Sequence, residues 1–224
     1  MQIPRDQGGL YAETNLDQLF PEPFNAITSL LFLGVAIWWT VQIYGRWREF
    51  PFLTYALALL YVGGIGGSLY HGLRIWPVFL LMDWLPIMLL CLSAGLWFLA
   101  KLTRWYVAAL LIIGYFGLQW LLRTRFADDV QLFININYAL MAAIVLVPVV
   151  AFLVRTRFGH ARWVGLALAA FVLALFFRIA DRWDLTPIGT HFLWHLFGAV
   201  AAFAMLKFVY LVEHPAPVLR RVAS

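Results

Sequence analysis

THFLWHLFGAVAAFAMLKFVYLV, residues 190–212, carries one charged side chain, Lys207, in twenty-three positions. An α-helix rises about 1.5 Å per residue, so about 20 apolar residues cross the hydrocarbon core of a bilayer. The stretch therefore reads as a transmembrane helix. Six more runs of the same kind precede it, at 24–44, 52–72, 77–100, 105–122, 130–154 and 163–177. The sixth is the shortest, and Arg178 at its end is expected to snorkel or to cap it. The expected architecture is an all-α integral membrane protein, a seven-transmembrane helix bundle over residues 24–212. A polar N-terminal segment (1–23) precedes it, and a short tail (213–224) follows.

Composition agrees. Of 224 residues, 64% are hydrophobic and only 12% charged, too few charges to cover a soluble domain of this size. A net charge of +5 in a soluble protein would suggest a nucleic-acid partner. Here Arg and Lys fill the short gaps between apolar runs, so no nucleic-acid partner is expected and the lipid bilayer takes that place. The sole cysteine, Cys91, lies inside an apolar run, which excludes an internal disulfide and any CxxC metal site. Residues 1–23 are polar and mildly acidic, so the first span is expected to act as the targeting signal.

Seven spans put the termini on opposite sides. Six basic residues, Arg5, Arg74, Arg123, Arg125, Arg178 and Arg182, fall on the N-terminal side. The other ten, Arg46, Arg48, Lys101, Arg104, Arg155, Arg157, Arg162, Lys207, Arg220 and Arg221, fall opposite. Positive charge is retained in the cytoplasm, so the N-terminus is expected outside and the C-terminus inside, in a bacterial inner membrane. Acids lean the other way, with Asp6, Glu13, Asp17, Glu22, Asp128, Asp129, Asp181 and Asp184 on the outer side.

The histidines are the most informative polar residues. His160 and His214 lie in inner-side segments and read as solvated. His71 ends the second span, while His191 and His195 open the seventh, so all three reach the outer face. Two histidines four apart share one helix face and can bind one metal ion, with His71 as a third ligand. The plainer reading of the pair is a set of interhelical hydrogen-bond donors. Asp83, the only acid inside a span, lies about 9 Å into the third helix, near the depth of His195. An intramembrane carboxylate is functional by default; otherwise it is an interhelical acceptor. Three histidines with an open fourth position form the catalytic zinc arrangement, beside which Asp83 would serve as general base. Ser68, three residues before His71, could face a substrate carbonyl, or could be one small residue in a packed interface after Gly63, Gly64, Gly66 and Gly67. Of Asn135 and Asn137 in the fifth span, only one can face the interior strongly. In the N-terminal segment, the carboxylates and amides of Glu13, Asn15, Glu22 and Asn25 suit calcium, or mark a plain helix N-terminus.

Taken together these residues resemble the alkaline ceramidase-like family, part of a wider set of seven-helix membrane hydrolases that includes the adiponectin-receptor-like proteins. The resemblance spans the chain in topology. In motif it rests on Glu13 with Asn15, Glu22-Pro23-Phe24-Asn25-Ala26, Gly67-Ser68-Leu69-Tyr70-His71, Asp83-Trp84-Leu85-Pro86-Ile87 and His191-Phe192-Leu193-Trp194-His195. It implies zinc on His71, His191 and His195, with Asp83 and a serine beside it. It also implies hydrolysis of the amide bond of a ceramide-like membrane lipid to a fatty acid and a sphingoid base. Calcium in the N-terminal segment is implied too, with Glu13, Asn15 and Glu22 matching side-chain ligands and Tyr11 a main-chain one. Two positions depart from the family. Its serine usually lies four residues before the first histidine, where this chain has Gly67, and Leu10 replaces an aspartate that opens the calcium segment, unless Asp17 or Asp6 folds in.

Two other readings stand beside it. A metal-free serine hydrolase would use Ser68 and one histidine, but it lacks the GxSG setting of rhomboid-like proteases and leaves the HxxxH pair unexplained. A seven-helix receptor or metal-binding protein would not turn over lipid, and a retinal-binding variant would need a lysine deep in the seventh span, whereas Lys207 lies near its inner end.

Overall fold

A computed structural model describes residues 4–125, 130–183 and 185–214. These residues are all-helical, without strands. The helices are α1 (Pro23–Gln42), α2 (Pro51–Leu73), α3 (Pro77–Ala100), α4 (Trp105–Arg125), α5 (Val130–Arg155), α6 (Ala161–Ala180) and α7 (His191–Glu213), with a 3-10 turn over Asp181–Trp183 after α6. Each falls within a few residues of its expected run. Proline opens α1, α2 and α3, where its missing N–H has no intrahelical partner to lose. Helix α6 runs through Arg178 rather than ending before it, which gives the short sixth run its full length.

Six of these helical segments are long and apolar enough to cross a membrane: Pro23–Gln42, Pro51–Leu73, Pro77–Ala100, Leu132–Arg155, Ala161–Trp183 and His191–Glu213. Helix α4 is not among them, and its second half carries Gln119, Arg123 and Arg125. Of the charges expected to set orientation, Asp128, Asp129, Asp184, Arg220 and Arg221 lie outside the described residues.

The described chain forms two compact units. Residues up to Ile87, with those from His160 onward, make the first, and Met88–Gly159 the second. In the first unit α1 packs against α2 and α7, and α6 against α7. Trp39, Tyr70, Phe50, Phe208, Ile43 and Leu53 are among its largest buried apolar side chains. Outward faces stay apolar, as Ile27, Leu30, Leu31, Ile37, Trp38 and Val41 on α1 show, which suits a lipid environment. In the second unit the carboxamides of Gln119 and Asn137 pair across α4 and α5, so Asn137 has an interhelical partner there.

One contact sets the register that builds the site. Glu213 at the end of α7 accepts the Phe52 and Leu53 N–H groups at the start of α2, at 2.7 and 3.1 Å. Phe52 to His71 is nineteen residues, and His195 to Glu213 is eighteen. Both paths are roughly 28 Å of helix, so the antiparallel pair brings His71 level with His195.

Candidate metal centre

The glycines of α2 decide how closely its neighbours approach. A Cβ on Gly64 would lie 2.8 Å from the Leu33 backbone nitrogen of α1, and one on Gly66 would lie 2.9 Å from the Met82 carbonyl oxygen of α3. At Gly67 a Cβ would meet Asp83 Oδ1 at 2.6 Å and Ser29 Oγ at 3.1 Å. The position that holds serine in the resembling family therefore lacks a side chain, and the Asp83 carboxylate packs into the space. Ser68 does not fill the gap. Its hydroxyl donates to the Gly64 carbonyl at 2.8 Å, back along its own helix.

His71, His191 and His195 converge. One ring nitrogen of each lies within 4.8 Å of the other two, and all three side chains are buried. Their ring centroids are 4.8–5.3 Å apart. Among the described residues this is the one group of three or more His, Cys, Asp or Glu side chains close enough to share an ion.

The hydrogen bonds fix the tautomers. His71 Nδ1 lies 2.5 Å from Glu22 Oε2, and an ionised carboxylate only accepts, so Nδ1 carries the proton. His71 Nε2 is then a lone-pair donor, buried and without a partner. His195 Nδ1 lies 3.0 Å from the Asn25 carbonyl, which also fixes its proton on Nδ1, with Thr28 and Ser29 hydroxyls at 3.1 and 3.3 Å. His191 Nδ1 is also buried without a partner. Imidazoles that donate one N–H to a carboxylate or carbonyl and leave the other nitrogen bare are the arrangement found around metal ligands. The three residues could hold a metal ion.

The backbone around the triad is pinned by Asp181. Its Oδ1 accepts the Thr190 and His191 N–H groups at 2.7 and 2.9 Å, capping α7 where the orphan donors lie. Its Oδ2 accepts Ala12 N–H at 3.1 Å. Gly189, at φ +67°, sits in the left-handed region, and a Cβ there would lie 2.6 Å from Ala12 Cβ. Glycine suits that turn, where any side chain would also meet Ala12 and the Asp181 carboxylate.

The N-terminal segment covers the triad. The Tyr11 ring lies on His191 with centroids 3.9 Å apart and reaches His71 at 5.3 Å. Burial, then Tyr70 and the carboxylates of Asp83 and Glu22, push the Tyr11 phenol well above its ordinary range, so it remains a neutral hydroxyl. Glu13 accepts the Phe24 and Asn25 N–H groups at 2.5 and 2.9 Å, the exposed donors at the start of α1. Asn15 Oδ1 accepts Asp17 N–H at 3.2 Å.

Of the two carboxylates expected to bind calcium, Glu13 and Glu22, the second is fully engaged within the protein. Glu22 Oε1 accepts Thr14 Oγ1 at 2.6 Å and an Arg74 N–H, while Oε2 takes His71 Nδ1 and, at 3.4 Å, Asn25 Nδ2. A carboxylate has about four lone-pair positions, and these contacts occupy them. Burial opposes the Glu22 charge, but the hydrogen bond from His71 and the charge of Arg74 outweigh it and hold the carboxyl below its usual range. In this arrangement the Glu22 oxygens have no position left for calcium, while those of Glu13 and Asn15 accept backbone N–H groups. Glu22 is tied instead to His71 and Arg74, and losing one partner of a buried ion pair costs about 3–5 kcal/mol.

Sequence patterns offered no sign of Arg74, Asp181 or Ser29 at this centre. Arg74 and Asp181 read as boundary charges, and Ser29 carries no spacing relative to the histidines, whereas Asp6, one of the two aspartates that could stand in for position 10, folds in against Arg74. The chain matches no known family and no curated protein in sequence comparison.

Proposed function

We propose that this chain is a zinc-dependent intramembrane hydrolase that cleaves the amide bond of a ceramide-like membrane lipid, releasing a fatty acid and a sphingoid base. The observation that carries the reading is the buried, unpartnered Nε2 of His71, whose Nδ1 proton is committed to Glu22. His191 and His195 complete the ligand set. A zinc ion bound there supplies Lewis acidity, which polarises a carbonyl and acidifies water. Asp83, packed against Gly67 one turn before His71, accepts the proton of the attacking water and returns it to the leaving amine. Ser29, through the Asn25 carbonyl and His195, positions a ligand rather than touching substrate.

In the same reading α4 is the seventh crossing helix, and the triad end of the bundle, with the N-terminal segment over it, faces outward from a bacterial inner membrane. Acyl chains reach such a site between helices, directly from the bilayer.

The test is fatty-acid release from an N-acyl sphingoid lipid by the purified protein in mixed micelles. Turnover should vanish with a zinc chelator, return with added zinc, and be lost in Asp83→Asn. Turnover that survives the chelator would favour a metal-free serine route. Zinc binding with no turnover of any amide or ester lipid would favour a non-catalytic metal-binding protein.

A further inference from the structure

Arg74 is the least expected residue at the centre. It caps α2 in the left-handed conformation, φ 53° and ψ 35°, where glycine or asparagine is the usual occupant. A bulky side chain persists there only when its surroundings hold it in place. They do so on several sides. Nε and Nη2 grip Asp6 as a fork at 2.6 and 3.2 Å, Nη1 donates to Glu22 Oε1, and Nη2 also donates to the Gly9 carbonyl at 2.9 Å. The guanidinium lies over the Tyr70 ring, 4.7 Å from its centroid. Arg74, Asp6 and Glu22 are all buried.

Two carboxylates and a main-chain carbonyl converging on one buried positive charge is the donor set a hard divalent cation would take. Here the positive charge is covalently part of the chain. It joins two things a bound ion could join. Through Asp6 and Gly9 it fastens the N-terminal segment onto the end of α2, and so holds Tyr11 over His191. Through Glu22 it fixes the carboxylate that orients His71.

Resting on the reading of His71 as a metal ligand, we propose that the Arg74 guanidinium is a built-in cation: it replaces a bound divalent ion in this segment, docks the N-terminus without calcium, and positions His71 through Glu22. Charge alone is not enough for this role. A planar fork meets Asp6 and Glu22 at once, whereas an ammonium is a point charge on a flexible stem.

The experiment uses the full-length protein in detergent and has two arms. In the first, thermal unfolding and zinc affinity, by competition with a coloured chelator, are measured for the wild type in calcium and in EGTA. Neither should change between them. A saturable rise of unfolding temperature with calcium would overturn the proposal. In the second, Arg74→Gly removes the side chain at a position whose backbone prefers glycine, so the helix cap survives. Zinc affinity of the folded protein should fall about tenfold to hundredfold, as when an outer partner of a metal ligand is removed, and Arg74→Lys should restore only part of it. Unchanged zinc affinity in Arg74→Gly, with or without a lower unfolding temperature, would reduce Arg74 to a structural tie and overturn its positioning role. If the wild type itself binds no zinc, the metal reading fails and the positioning role fails with it, while the calcium arm still decides whether Arg74 replaces an ion.

Discussion

Substituting the glycines of α2 one at a time separates packing from chemistry. Alanine is better than glycine inside a helix by about 0.8–1.0 kcal/mol. At Gly63 the new methyl would sit 3.6 Å from Pro86 Cβ, an ordinary contact, so Gly63→Ala should be neutral or stabilising. At Gly64 it would meet the Leu33 backbone nitrogen at 2.8 Å, and α1 would have to move. Overpacking of that kind costs about 1–3 kcal/mol, which outweighs the propensity gain. At Gly67 the nearest obstacle is Asp83 Oδ1 at 2.6 Å, the end of a short side chain that can turn away. The two terms then nearly cancel in stability, to within about 1 kcal/mol, or a few degrees of unfolding temperature in a chain of this size. The carboxylate, however, must retreat by roughly 0.8 Å, and a displacement of about 1 Å at a reacting group can lower the rate about 100-fold. Gly67→Ala should therefore bind zinc, unfold near the wild-type temperature and turn over lipid amide about 100-fold more slowly. Gly67→Ser, which restores the residue of the resembling family, meets the same obstacle. The assays are thermal unfolding, zinc content and fatty-acid release on all four variants. Full turnover in a folded Gly67→Ala would refute Asp83 as the proton acceptor. Destabilisation as large as that of Gly64→Ala would refute the packing argument.

Other consequences follow from the same contacts. Asp181→Ala removes the acceptor for Thr190 and His191 N–H, so it should cost about 1–3 kcal/mol in thermal unfolding and weaken zinc binding measured by chelator competition. Ser68→Ala should leave turnover unchanged, because its hydroxyl serves the Gly64 carbonyl. Ser29→Ala, by loosening the surroundings of His195 Nδ1, should lower zinc affinity, and equal effects of the two serine variants would contradict these placements.

The helices were legible because a membrane span writes itself into about 20 consecutive residues, and local apolar runs need no knowledge of partners. The triad was legible for a related reason. His71 closes one run and His191 opens another, so antiparallel packing alone brings them to one level. Asp83 stood out as the single acid within a span. What stayed hidden depends on pairs far apart in sequence. Arg74 and Asp6 are 68 residues apart, and nothing local distinguishes Arg74 from the other charges that bound the spans. Its left-handed conformation is likewise set by its partners, since residue type argues against it. Glu22 stood out as a carboxylate at the mouth of the first span, but its partners, His71 and Arg74, are 49 and 52 residues away. That Ser68 turns its hydroxyl back to the Gly64 carbonyl, and that Gly67 makes room for Asp83, are likewise matters of packing rather than of local pattern.

The most direct test of the central claim is metal content by elemental analysis of the purified protein, prepared without chelators and with zinc added back, beside His191→Ala. About one zinc per wild-type chain, lost in the variant, is the expected result for a three-histidine centre. No zinc in the wild type, or equal zinc in both, would contradict the account and leave the histidines as interhelical hydrogen-bonding groups.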